Sequence, residues 1–230
     1  MTLKNRASQS LSLNEGERLR EAALFAVCNG WPFNRHVTIH FAQLGIYRPH
    51  RALTRFLKRV GDWVRQRSGQ PPAYVWALEN PEADFGKGDI HVHILIHVPS
   101  KLTREFDRRV DRWLVGPGEV APKDAVQSDP IWYSVPPIRW DAYLNDGIWG
   151  ILRYLLKGLD HDSAGSFEVK PKPEGTILGK RSGYSESLGV QHRWQRLRFE
   201  RDPRVWVGGP SVKMRRLVEH LCPELIGLVD

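Results

Sequence analysis

Two periodicities alternate along the chain. Ser12 to Asn29 reads as a helix: "SLNE" has the spacing of a capping box, the apolar-rich "ERLREAALFAV" follows, and Gly30 stands where a helix commonly stops. Asn34 to Gln43 then alternates as a strand does, with Val37, Ile39 and Phe41 on one face and His36, Thr38 and His40 on the other. Arg48 to Gly69 returns to helical spacing, its stripe formed by Leu53, Phe56, Leu57, Val60 and Val64. Two strands follow, Ala73–Asn80 and Ile90–Val98, and then a helix predicted over Lys101–Gly116. A strand is expected around "PIWYSVPPI" within the Pro-rich stretch 117–140, and a helix over Asn145–Asp160. From His161 the pattern weakens into Gly, Ser, Pro and Lys, expected as loops or an extended arm, with a last helix within 210–226.

The central order is β-α-β-β-α-β, which predicts an α+β chain. Its sheet is expected to be ferredoxin- or RRM-like and antiparallel, with helices on one face. This block occupies residues 34–160, with a helical extension at 1–33 and a basic extension at 161–230.

The stretch "GDIHVHILIHV" departs from a simple core strand. Strand parity puts Val92, Ile94, Ile96 and Val98 on one face and His91, His93, Leu95 and His97 on the other. Positions two apart have Cα atoms roughly 6.5–7 Å apart, so His91 and His93 can converge on one ion. His97 lies about 13 Å beyond His93 and is expected to be a bystander. If the two strands form a hairpin with matched apolar faces, Glu79 falls on the histidine side. Two imidazoles and one carboxylate suit a cation such as Mg²⁺ or Mn²⁺ and leave positions open for chemistry. A pair of hydrogen-bonded surface histidines is the plainer alternative.

Charge narrows the partner. The chain of 230 residues has a net charge of +8, and its basic side chains are mostly arginine. Nucleic acid is therefore favoured over a membrane surface, beside the alternative of a basic enzyme with no such partner. No run of about 18 apolar residues occurs and the N-terminus lacks the apolar stretch of a secretory signal, so a cytoplasmic protein without a membrane span is expected. Cys28 and Cys222 fit no zinc spacing, and "GTILGKR" is too short for a phosphate-binding loop. Between Lys172 and Phe199, basic residues interleave with aromatics. Lys180, Arg181, Arg193, Trp194 and Arg196 are candidates there for gripping phosphates and stacking bases; a solvated extension is the competing reading.

Tyr154 and Lys157, three apart on the last helix of the block, share a face. A phenol beside an ammonium can act as a nucleophile towards a phosphate; alternatively, Tyr154 packs and Lys157 is solvated. Taken together, "HVTIHF", "HVH" and "YLLK" in this order resemble the HUH endonuclease superfamily. The chain looks most like its single-tyrosine rolling-circle replication initiators from bacterial plasmids or phages, over about residues 34–160. The resemblance implies a metal-dependent nicking and joining enzyme. His91, His93 and Glu79 would hold Mn²⁺ or Mg²⁺, Tyr154 would form a 5′-phosphotyrosine, and Lys157 would neutralise charge. It also implies single-stranded or hairpin origin DNA as partner, with His36, Thr38 and His40 on the DNA-facing side. There is one tyrosine on the helix, unlike two-tyrosine relaxases. No helicase motor follows, so a separate helicase and polymerase would be needed. A single-tyrosine HUH transposase and a non-catalytic RRM-like binding module are the alternatives.

Overall fold

The computed structural model of the protein describes residues 7–81, 89–116, 118–131, 149–172 and 175–193. A two-residue strand, β1 (Ala7–Ser8), precedes helix α1 (Leu13–Cys28). Ser12 caps α1 as expected: its hydroxyl accepts from the Glu15 amide while Glu15 accepts from the Ser12 amide, satisfying donors that a helix start leaves open. Strand β2 (Arg35–His40) leads to α2 (Pro49–Ser68), which ends at Gly69 in the left-handed conformation (φ 72°). Strands β3 (Ala73–Glu79) and β4 (His91–His97) follow.

The chain is α+β and its sheets are antiparallel. The main sheet has the order β5-β2-β4-β3-β7, where β5 is Val126–Pro130 and β7 is Ser182–Tyr184. A second, two-stranded sheet pairs β1 with β6 (Ile177–Leu178).

Three expectations change. The helix predicted over Lys101–Gly116 is broken: a short α3 (Thr103–Asp107) lies between single 3-10 turns at Ser100–Leu102 and Asp111–Trp113. The tighter turns seat Trp113 against Phe56, Trp63 and Phe106, with ring centroids 6.3, 5.4 and 5.7 Å away, so tertiary packing overrides helix continuity. A strand not expected from the sequence runs Val126–Pro130 and ends at its proline on the sheet edge, whereas the strand expected around "PIWYSVPPI" falls largely on residues 132–138, outside the described residues. The stretch after His161 is more than an arm, because it contributes α5 (His161–Ala164), β6 and the edge strand β7. The helix expected within 210–226 also lies outside the described residues.

Helices cover both faces of the main sheet, not one. One face presents Val37, Ile39, Trp76, Leu78, Val92, Ile94 and Ile96 to α2 and α3. The other is divided. Its apolar half, Ala73, Val75, Ala77 and Leu95, packs under α1 and under α4 (Trp149–Leu156). Its polar half carries the histidines. Thus α1 and β7, from outside residues 34–160, join the same sheet and core. Among the described residues, no helix is long and apolar enough to cross a membrane.

Gly183 of β7 lies opposite Trp76, and a Cβ there would meet the indole ring at 2.8 Å. Gly183→Ala is expected to destabilise the fold by about 1–3 kcal/mol through overpacking, read as a lower urea midpoint at unchanged slope.

Candidate active site

The end of β3 and the start of β4 create the site. Their antiparallel register places Glu79 opposite His91, and on the other side of β4 His93 lies opposite Thr38 and His91 opposite His40. Strand parity then turns Glu79, His91 and His93 towards one point. The Oε2 atom of Glu79 lies 3.2 Å from His91 Nε2 and 3.5 Å from His93 Nε2. All three side chains are buried.

The neighbours of each imidazole fix what it can offer. His91 Nδ1 lies 2.9 Å from the Asp89 carbonyl oxygen. A carbonyl only accepts, so Nδ1 carries a proton, and in neutral His91 the Nε2 lone pair faces the Glu79 carboxylate. Two acceptors at 3.2 Å need a cation between them, either a proton on Nε2 or a metal ion. The direction of the His91 pKa agrees. Burial disfavours its imidazolium, yet the Glu79 hydrogen bond, the Asp89 carbonyl and both carboxylates hold it above an ordinary histidine.

His93 shifts the other way: burial, with His91 and Lys157 nearby, outweighs Glu79 and lowers its pKa. Its Nδ1 lies 3.1 Å from both Thr38 Oγ1 and His36 Nε2. A proton on Nδ1 can be donated to either atom, leaving the Nε2 lone pair turned towards Glu79. His36 itself is lowered to about 4, chiefly by burial and then by His93, and is neutral near pH 7.

These residues fit a divalent cation. Adjacent ligands about 2.1 Å from an octahedral ion lie about 3.0 Å apart, close to the separations seen around Glu79 Oε2. The His/Glu/His triad, with ligand atoms all within 4.8 Å of one another, could therefore hold a metal ion. The outer imidazole nitrogens donate as metal-binding histidines do, His91 Nδ1 to the Asp89 carbonyl and His93 Nδ1 to Thr38 or His36.

Helix α4 brings up the remaining groups. Leu152, Leu155 and Leu156, with Leu159 beyond the helix end, form the buried stripe on α1 and the sheet. Backbone bonds from Leu11 to Gly158 and from Asp160 to Leu11 anchor that end. Tyr154 is thereby held over the histidines, its hydroxyl 3.5 Å from His93 Nε2 and its ring edge-on to His93 and His36. Lys157 Nζ lies 3.0 Å from Glu79 Oε2 and 3.8 Å from the Tyr154 ring centroid.

The sequence candidates are thus distributed unevenly. Tyr154, Lys157, His91, His93, Glu79, His36, Thr38 and His40 come together. His40 pairs with Asp89 at 2.9 Å and stacks on His91. His97 stands apart, its Nδ1 2.8 Å from the Pro32 carbonyl. Lys180 is exposed beside the Trp76 ring. Trp194 and Arg196 lie outside the described residues.

Arg181 and Arg193 do not face solvent, so the expected phosphate contacts give way to internal ones. Arg181, 1% exposed, donates to the carbonyls of Ser8, Gly175 and Leu78. Arg193 pairs with Glu21 at 3.2 Å. Arg181 supplies donors to carbonyls that burial would otherwise strand, and Arg193 meets the carboxylate of Glu21 on α1.

Sequence reasoning missed Asp89. Its place two residues before His91 was the available signal, but its pairing with His40 depends on β2 lying beside β4. Comparison of the chain with protein-family models, curated proteins and solved structures finds no match.

His91→Ala or His93→Ala is expected to abolish Mn²⁺ binding measured calorimetrically. Thr38→Val should weaken it about 10–100-fold, as for loss of an outer-shell partner, and His97→Ala should leave it unchanged. At pH 6, Mn²⁺ entry should release about one proton, largely from His91, seen as a dependence of binding heat on buffer ionisation. Arg181→Met is expected to destabilise the fold by about 3 kcal/mol or more, measured by urea unfolding, because it strands buried carbonyls.

Proposed function

We propose that the protein is a single-strand DNA nicking and joining enzyme of the HUH type, acting as a rolling-circle replication initiator. The observation that carries this reading is the placement of the Tyr154 hydroxyl 3.5 Å from His93 Nε2, beside a buried His/Glu/His triad and a lysine. A tyrosine held against a metal-ligand set, on a basic protein, suits attack on a phosphodiester better than it suits a packing role. The order β5-β2-β4-β3, with α2 and α3 as the crossovers, also supports a ferredoxin-like βαββαβ core. An RRM-like binding module is disfavoured by a sheet face bearing histidines and a carboxylate in place of stacking aromatics.

In this reading His91, His93 and Glu79 hold Mg²⁺ or Mn²⁺, which would supply Lewis-acid polarisation of the scissile phosphate. His36 and Thr38 keep the His93 lone pair directed inward. Tyr154 Oη loses its proton and forms the bond to phosphorus, while the bond to the 3′ oxygen breaks and that oxygen leaves as a hydroxyl. Lys157, one turn along α4, favours the phenolate and offsets charge on the phosphoryl group. Attack by a 3′-hydroxyl on the phosphotyrosine reverses the exchange, so joining needs no nucleotide. A separate helicase and polymerase would complete replication.

The test is incubation with Mn²⁺ and single strands from the DNA flanking the coding sequence, followed by denaturing electrophoresis. A covalent protein–DNA adduct is expected, lost in Tyr154→Phe and in His91→Ala/His93→Ala, and reduced about 10²–10³-fold in rate in Lys157→Met. Absence of any adduct, or an undiminished adduct in Tyr154→Phe, would falsify the reading.

A further inference from the structure

On the sheet face opposite the histidines, α2 and the turn after α3 enclose an open cavity of about 660 Å³. Arg55 and Arg59, one turn apart on α2, and Arg112 on the facing turn line it, over a floor that includes Ala52, Trp113 and Leu114. Most basic groups nearby are neutralised: Lys58 and Arg65 pair with Asp62, Arg67 and Arg109 with Glu105, and Arg35 with Asp107. The cavity arginines are not. Among the described residues the guanidiniums of Arg55 and Arg112 make no ion pair or hydrogen bond, and Arg59 donates to the neutral Trp113 carbonyl at 2.8 Å. The carboxylate at the rim, Glu119, accepts from the Gly116 amide instead. Arg112 also lines a second, smaller hollow with Arg67, Arg108, Arg109 and Glu105; there Arg108, which donates to the Arg104 carbonyl and forms no ion pair among the described residues, extends the uncompensated charge.

We propose that this surface binds the phosphate backbone of duplex DNA and forms a contact separate from the tyrosine site. Three guanidiniums that no carboxylate pairs with, in a concave and open setting, recognise a row of phosphates. The aromatic in the cavity decides between duplex and unpaired strand. Trp113 is half-buried and held in the cavity floor by Phe56, Trp63 and Phe106, and it is a single aromatic where an unpaired strand stacks successive bases on several. What remains is charge alone, which suits a backbone read without regard to sequence. The choice of DNA as the polyanion rests on the nicking reading; the anion site itself does not. With Tyr154 on one sheet face and these arginines on the other, the protein would grip the double-stranded flank of an origin while the unpaired strand is cut.

The test is fluorescence anisotropy with a labelled mixed-sequence duplex of 20 base pairs, titrated across salt concentrations. Wild type is compared with Arg55→Ala/Arg112→Ala and with the charge reversal Arg55→Glu/Arg112→Glu. Arg59 is left intact because it also holds the Trp113 turn. The alanine pair should lower duplex affinity about tenfold at low salt and reduce the slope of log K against log salt by about two. The reversal should lower affinity further. Both variants should keep the wild-type urea midpoint and the wild-type yield of covalent adduct on a short single strand. Unchanged affinity and slope would overturn the proposal, as would saturable binding of a nucleoside triphosphate that displaces the duplex and is lost in the alanine pair. Failure of the nicking reading registers separately, as absence of adduct in wild type.

Discussion

The Glu79 carboxylate is buried at the junction of two strands and a helix, and it cannot stay charged there unaided. Its Oε2 atom is met by His91, His93 and Lys157, at 3.2, 3.5 and 3.0 Å. One atom therefore ties the end of β3, the start of β4 and the last turn of α4 into a common centre. The ammonium of Lys157 supplies positive charge there, and a proton on His91 Nε2, favoured by the raised pKa of that imidazole, adds to it. A divalent cation entering the triad would take over part of that role, releasing the proton and freeing the lysine for another anion.

Division of one sheet face makes this centre possible. Ala73, Val75, Ala77 and Leu95 form an apolar half that α1 and α4 must cover, and the leucine stripe of α4 does so. Covering that half sets the height and rotation of α4. As a result Tyr154 and Lys157 project over the polar half, where a sheet that was apolar throughout would have buried them. Residues remote from the chemistry hold this arrangement: the Leu11–Leu159 bridge pins the end of α4, and Arg181 ties β7 to the chain start. The described part of the segment after His161 is structural in this respect, since Arg181 and Arg193 turn inward while the unpaired arginines of α2 and the turn after α3 lie across the sheet.

Much of the site was legible because strand parity is a local rule. The alternation in "AYVWALE" and "HVHILIH" assigns faces before any contact is known, and the rise along the strand set His97 apart from His91 and His93 on that same face. The capping box at Ser12 and Glu15 and the helix stop at Gly30 were legible for the same reason, since their hydrogen bonds close within a few residues. Asp89, the break after α3 and the inward turn of Arg181 were not. Each depends on a partner distant in the chain: β2 beside β4, the aromatic cluster under α2, and the carbonyls of Ser8 and Leu78.

The sequence by itself determined which residues share a face and roughly where α1, β2, α2, β3 and β4 begin and end, because periodicity and capping act over one or two turns. Tertiary structure alone decided what those faces meet. It covered both sides of the sheet, brought Tyr154 across from α4 to His93, and separated arginines satisfied in the interior from those left at the surface. The physical reason is that burial is a property of the assembled core: a guanidinium or an imidazole acquires its role only when the elements around it have removed the water.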